Sequence, residues 1–213
     1  ETRNFTGRPM CRVCKHPHYP DEKCPICGHR GKAKSHKRYE NVCKSTGPTP
    51  TELHFKIFDS SSKTSSETRK KLWALAKIMR EHVFVKELLV NHDAEFDNVE
   101  GASRHVISFI GDAPISYTRW RVVQEGGSVF AMLERWCTLT RHRRNGYGKR
   151  TMVCAVQDIV RHQSSLSAIV TNCPNNSPTG RSFVESMGFK RVGQPHETPR
   201  GVFQRYILSR PFR

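Results

Sequence analysis

One stretch limits the choice of fold more than any other: Leu133 to Val160, LERWCTLTRHRRNGYGKRTMVCAVQDIV. A buried-strand pattern runs into a basic turn with two glycines, and an amphipathic helix leaves it. The turn, Arg143-Arg144-Asn145-Gly146-Tyr147-Gly148, has the form R-x-x-G-x-G. Its glycines allow a tight turn and a close approach of the backbone to a ligand. The helix behind it aims its free N–H groups and positive dipole end at the turn. Lys149 and Arg150 add charge at the same place. Such a strand–turn–helix is a site for a pyrophosphate or a similar polyanion.

The chain has 213 residues, enough for one good-sized domain and a small appendage. With 36% hydrophobic residues it has the material for a packed core. No apolar run approaches the ~18 residues that span a bilayer. The chain opens with Glu1 rather than Met, as a fragment or a processed form would. The net charge of +17 favours nucleic acid, an anionic surface or an acidic protein as a partner. Residues 1–50 hold 11 Lys/Arg against 4 Asp/Glu, so +7 of that charge lies there. A merely solvated basic surface is the competing reading.

Of the eight cysteines, four form two C-x-x-C pairs, Cys11/Cys14 and Cys24/Cys27, with nine residues between them. Each pair can place two thiolates on one ion, and two pairs complete a tetrahedral site for Zn2+. Cys24-Pro25-Ile26-Cys27-Gly28 has the zinc-knuckle form C-P-x-C-G. A redox C-x-x-C is the alternative, but no thioredoxin-like strand and helix surround it. His16, His18 and His29 lie nearby as substitute ligands or as surface residues. The other cysteines, Cys43, Cys137, Cys154 and Cys173, are scattered. This is a reduced, intracellular pattern, which places the protein in nucleus or cytoplasm. So small a segment needs its metal to hold it together. The zinc module, 1–47 with a basic tail, therefore docks on nucleic acid, docks on protein, or staples the fold.

Gly47-Pro48-Thr49-Pro50 reads as a linker, so the main domain is 48–213. Leu53–Phe58 alternates as a strand, and Thr64-x-x-Glu67 fits a capping box. The helix it starts has an inward stripe of Leu72, Leu75, Ala76, Met79 and Val83. Phe84–Val90 is a second short helix, and Asn91–Ala102 a polar loop with the chain's acidic cluster. Strands follow at 105–109, 115–123 and 129–138. A helix from Gly148 to about His162 buries Met152, Val153, Val156, Ile159 and Val160. A strand at 167–171, a helix at 179–187 stopped by Gly188, and a strand at 203–208 complete the chain. The order β, α(α), β, β, β, α, β, α, β gives an α+β fold, a mixed sheet with helices on its faces.

This order, with R-x-x-G-x-G between the fourth strand and its helix, resembles the GNAT superfamily of N-acetyltransferases. Three features over about 53–213 carry the resemblance: Glu134–Leu139 running to Arg143–Gly148, the loop Asn172–Pro178, and Phe183-Val184-Glu185-Ser186-Met187-Gly188-Phe189. The resemblance implies a GNAT acyl-CoA N-acyltransferase fold, acetyl-CoA as donor and an amine as acceptor. It implies that the loop amides of Arg144, Asn145, Gly146, Tyr147 and Gly148 wrap the CoA pyrophosphate, with Arg143, Lys149 and Arg150 supplying charge. It also implies that the backbone of Cys137 and Leu139 pairs with the pantetheine arm and that Asn172 and Asn176 contact CoA. The amide of Thr138 would face the thioester oxygen, where it steadies developing charge.

A neutral amine at pH 7 requires a base, and Glu134 on the fourth strand is the candidate. A plain salt-bridging role for Glu134 competes with it. The resemblance has one departure. Where many members carry a Tyr as general acid, this chain has Val184, or Phe183 in a shifted alignment, and neither has a hydroxyl. Protonation by water or another group, a slow enzyme, or a CoA-binding fold with little catalysis follows. The competing function is a zinc-dependent nucleic-acid or ribonucleoprotein binder on a GNAT scaffold. The acceptor, a protein lysine, an N-terminus or a small amine, is left open; the acidic cluster at 93–100 is either a cation attractor or solvated.

Overall fold

The computed structural model describes residues 52–59 and 65–209, all within the unit Thr51–Arg213. The cysteine pairs Cys11/Cys14 and Cys24/Cys27, the linker at 47–50 and the expected cap Thr64 lie outside the described residues. The described strands are β1 (Leu53–Phe58), β2 (Arg104–Ile110), β3 (Ala113–Glu125), β4 (Ser128–Thr138), β5 (Ala168–Pro174), β6 (Lys190–Thr198) and β7 (Gly201–Ser209). They form one sheet in the order β1-β2-β3-β4-β5-β7-β6. All neighbours are antiparallel except β4 and β5. The helices are α1 (Ser66–Arg80), α2 (His92–Glu95), α3 (Tyr147–His162) and α4 (Pro178–Ser186).

Alternation along the strands divides the core in two. On one face Leu133, Ile169 and Tyr206 pack under Met152, Ala155 and Ile159 of α3 and Val184 of α4. On the other, Phe58, Ile107 and Tyr117 pack under Leu72, Ala76 and Met79 of α1. The inward row of α3 is rotated from the expected stripe. Val153 and Val160 are exposed, while Thr151, Ala155 and Asp158 turn in. Asp158 draws the helix round: its carboxylate accepts from Trp120 Nε1 at 2.8 Å and from Arg104 Nε at 2.9 Å.

Other elements also differ from the sequence reading. α1 is capped by Ser65, which accepts from Thr68 N, one residue after the expected cap. Phe84–Val90 is not a separate helix. α1 widens directly into a π-helical turn, Glu81–Glu87, closed by Leu88 N to Val83 O at 3.0 Å. The segment 91–102 contains α2 and a 3-10 turn, Glu100–Ala102. β6 is an additional strand. Gly193 and Pro195 hide it in the sequence, and its place at the sheet edge tolerates both, since an edge strand needs only one ladder.

Candidate active site

The site begins where the sheet opens. β4 and β5 pair only over Phe130–Met132 with Ala168–Val170, then part. On its other side β4 stays paired with β3 through Thr138, with a bulge that sets Arg119 opposite Glu134 and Tyr117 opposite Cys137. Arg135 sits in the bulge at φ +56°. The extra residue shifts the alternation, so Leu133 and Trp136 both pack on the α3 side. Trp136 reaches over the gap, with Nε1 donating to Thr171 Oγ1 on β5 at 3.2 Å.

The R-x-x-G-x-G turn closes the gap at one end. Arg144 has φ +63°, and Gly146, the residue before α3, has φ +75°. α1, α2 and α4 are capped by the side chains of Ser65, Asn91 and Ser177, whereas α3 has no side-chain cap and no acidic residue in its first turn. Its leading amides and dipole face the turn without a protein anion. Gly148 lets α3 meet the end of β4, because a Cβ there would lie 2.8 Å from Thr138 Oγ1.

The turn's side chains largely brace the turn. Arg143 is held by both oxygens of Glu87, and its Nε donates to the Thr138 carbonyl at 2.9 Å. Asn145 Nδ2 donates to the carbonyls of Arg143 and His142. Lys149 Nζ donates to the Ser186 carbonyl at 3.1 Å, and burial lowers its pKa. Arg144 and Arg150 are exposed; Tyr147 is half-buried. Leu139 N donates to Ile115 O, and Cys137 O accepts from Ser116 Oγ, so both of these backbone groups are used on the β3 side. Alternation turns the backbone of Trp136 and Thr138 toward the gap instead. Asn172 is half-buried on β5, and Asn176 is exposed just before α4.

Neither residue at the general-acid position carries a hydroxyl. Val184 is fully buried in the core, and the Phe183 ring packs 5.2 Å from Trp136.

On the opposite face of the sheet lies a cleft of about 740 Å³. β4 contributes Met132, Glu134 and Arg135, β3 Arg121, β5 Asn172, and the β6–β7 turn Thr198, Pro199 and Arg200. The acidic segment forms its other wall through Asp93 and Asp97. That segment is neither a free cation attractor nor simply solvated. Glu95 is fully buried, with Arg80 Nε 2.8 Å, Arg200 Nη2 2.8 Å and Arg135 Nε 3.2 Å from its oxygens. Asp97 binds Arg119 and Arg135; burial opposes its charge, yet these guanidiniums hold its pKa below the ordinary value. Glu134 is salt-bridged as well: Oε1 lies 2.8 Å from Arg121 Nε and 3.1 Å from Arg119 Nη2. Its Oε2 has a longer contact, 3.8 Å from Arg135 Nη1. Arg80, Arg119 and Arg135 are thus turned inward onto these carboxylates.

A sheet parted between two parallel strands, with an uncapped helix behind a glycine turn, has close counterparts among solved structures. An acyl-CoA N-acyltransferase from Pseudomonas aeruginosa superposes with a TM-score of 0.57 at 18% identity, covering 74% of this chain and 100% of that one. The fold is the GNAT fold. NAA60 of Arabidopsis thaliana in complex with acetyl-CoA superposes with a TM-score of 0.56 at 8% identity, covering 75% and 99%. Two Bacillus subtilis (strain 168) proteins are similar in sequence. YjcF, an uncharacterized N-acetyltransferase, is 40% identical over 70 residues, 33% of this chain and 47% of YjcF, so the chain spans about half of that relative. A second, only provisionally assigned as an acetyltransferase, is 29% identical over 119 residues, 54% of this chain and 75% of its own length. No family model matches. Among the described residues, the GNAT fold contains no cluster of His, Cys, Asp and Glu suited to a metal, and no helix long and apolar enough to cross a membrane.

Proposed function

We propose that this chain is an acetyl-CoA-dependent N-acetyltransferase that moves an acetyl group to an amine. The observation that carries the reading is the gap between β4 and β5, ending at the uncapped N-terminus of α3. The amides of Tyr147, Gly148 and Lys149 would bind the pyrophosphate, and the backbone of Trp136 would pair with the pantetheine arm. The Thr138 amide then donates to the thioester oxygen as charge develops on it. The names of the two sequence relatives support this reading.

The amine enters from the cleft. Glu134 Oε2, the less engaged of its two oxygens, receives the amine proton directly or through one water. The leaving thiolate takes its proton from water, since Phe183 and Val184 have none to give. Isothermal titration with acetyl-CoA tests the assignment: saturable binding in the micromolar range is expected, and none at high micromolar concentration would refute it.

For residues 1–47, the spacing of Cys11, Cys14, Cys24 and Cys27 supports a zinc site. Metal analysis of the purified chain should find about one zinc, lost when Cys24 and Cys27 are changed to Ser.

A further inference from the structure

An ion-pair network backs the cleft: Arg80, Arg119, Arg121, Arg135 and Arg200 face Glu95, Asp97, Glu100 and Glu134, five cations to four anions, while the exposed Asp93 at the cleft wall stands outside it. Four of the five are well matched. Arg80 holds Glu95 and Glu100; Arg119 holds Asp97, Glu100 and Glu134; Arg135 holds Glu95 and Asp97; Arg121 holds Glu134.

Arg200 differs. Its ion-pair partner is Glu95, which Arg80 and Arg135 already share. Its Nε is buried without a hydrogen-bond partner; so is that of Arg119, but both other nitrogens of Arg119 hold carboxylates. The guanidinium lies 5.0 Å from the Phe84 ring centroid and 5.8 Å from that of Phe203, which fixes its position. Burial, together with the neighbouring Arg135, lowers its pKa to about 10. A side chain from a β-hairpin turn ordinarily points to water, but this one folds back to line a cleft.

Asn172 lies in the same cleft, at the parting of β4 and β5, and its Oδ1 is also buried without a partner. The cleft therefore brings together the unpaired Asn172 Oδ1 and Glu134 near the gap, and at the β6–β7 turn a guanidinium that holds Glu95 with one nitrogen and leaves Nε unpaired.

We propose that the acceptor is an amine-bearing carboxylic acid of amino-acid type, its carboxylate bound by Arg200 and its amine held between Asn172 and Glu134. An anion at Arg200 supplies the missing charge and satisfies Nε, and such charge-assisted bonds are the strong ones. A polyamine or a lysine-rich peptide would bring no anion for Arg200. The identity of this molecule as an acetyl acceptor rests on the transferase reading above; the carboxylate subsite itself does not.

Two measurements separate these. First, free CoA is read with matched acceptors that differ only in the carboxyl group, such as phenylalanine with phenethylamine and lysine with cadaverine. The acids should be favoured in kcat/KM by at least about tenfold. Arg200→Gln should raise KM for the acids by about the same factor, change the amines less than about threefold, and leave acetyl-CoA affinity unaltered. Arg200→Lys should recover part of the loss. Second, N-acetylphenylalanine is titrated without acetyl-CoA. Binding to the parent chain that is lost in Arg200→Gln, with an unfolding transition retained, supports the subsite. Equal use of acids and amines, or equal damage to both by Arg200→Gln, overturns the proposal. So does the absence of N-acetylphenylalanine binding, whether or not acetyl-CoA binds. Failure of acetyl-CoA to bind while the carboxylate binds refutes the transferase reading alone.

Discussion

Glu95→Gln perturbs the buried charge at its centre. Glu95 is fully buried on a four-residue helix, and three arginines converge on its two oxygens at 2.8, 2.8 and 3.2 Å. Glutamine keeps the size and one acceptor oxygen. It replaces the other oxygen with an NH2 group that faces guanidinium donors, and it raises the excess charge of the network from one to two. Removing one partner from a buried ion pair costs about 3–5 kcal/mol, because the remaining charge stays desolvated. For a domain of this size each kcal/mol moves Tm by about 2–4 °C, so a fall of about 6–20 °C is expected. Thermal unfolding followed by circular dichroism measures it. Asp93→Asn is the control: it lies two residues away with its side chain 98% exposed, and should change stability by less than about 0.5 kcal/mol. If Glu95→Gln matched Asp93→Asn, or raised Tm, the view that this carboxylate holds the arginines together would be wrong.

Gly148→Ala puts a Cβ 2.8 Å from Thr138 Oγ1, so either that hydroxyl leaves its bond to Ser116 Oγ or α3 moves from β4. A loss of about 1–3 kcal/mol and weaker acetyl-CoA binding are expected, both partly restored in the double variant with Thr138→Ala, as calorimetry would show. Glu134→Gln should lower kcat by about 10²-fold or more while acetyl-CoA affinity holds, measured by steady-state release of CoA. His105 is buried against Tyr117 Oη, 2.8 Å from Nδ1, and burial, with Arg119 and Arg80 nearby, lowers its pKa from 6.5 to about 4. The unfolded chain therefore takes up a proton that the folded state refuses. Stability is full above pH 6.5 and falls by roughly 3 kcal/mol as the pH drops toward 4. Unfolding curves over that range should show a shallower slope in His105→Gln.

The turn, the gap and the uncapped helix proposed for the donor were legible because their signals are local. A glycine turn between a strand pattern and a helix pattern occupies neighbouring positions, and Gly146 and Gly148 stand where a left-handed φ and a close approach require them. The cleft proposed for the acceptor was not legible, because its signals are contacts across the sheet. Glu95 and Arg200 are far apart in sequence, and nothing near either shows that the acid is buried or that a turn arginine folds inward. Asp93, Glu95, Asp97 and Glu100 look alike as letters, yet Asp93 faces solvent and Glu95 is sealed. β6 escaped for a related reason. An edge strand with one exposed face need not be apolar, so neither composition nor alternation marks Lys190–Thr198.

Trp136 has an optical consequence. Its indole stands across the opening between β4 and β5, hydrogen-bonded to Thr171 and tilted against Phe183. Whatever enters that opening must change the polarity around the ring or break its bond. The chain has three tryptophans, and Trp120 is buried with its N–H on Asp158, away from the opening. With Trp73 replaced by Phe, the emission of Trp136 becomes a built-in gauge of occupancy, read without label or coupled enzyme.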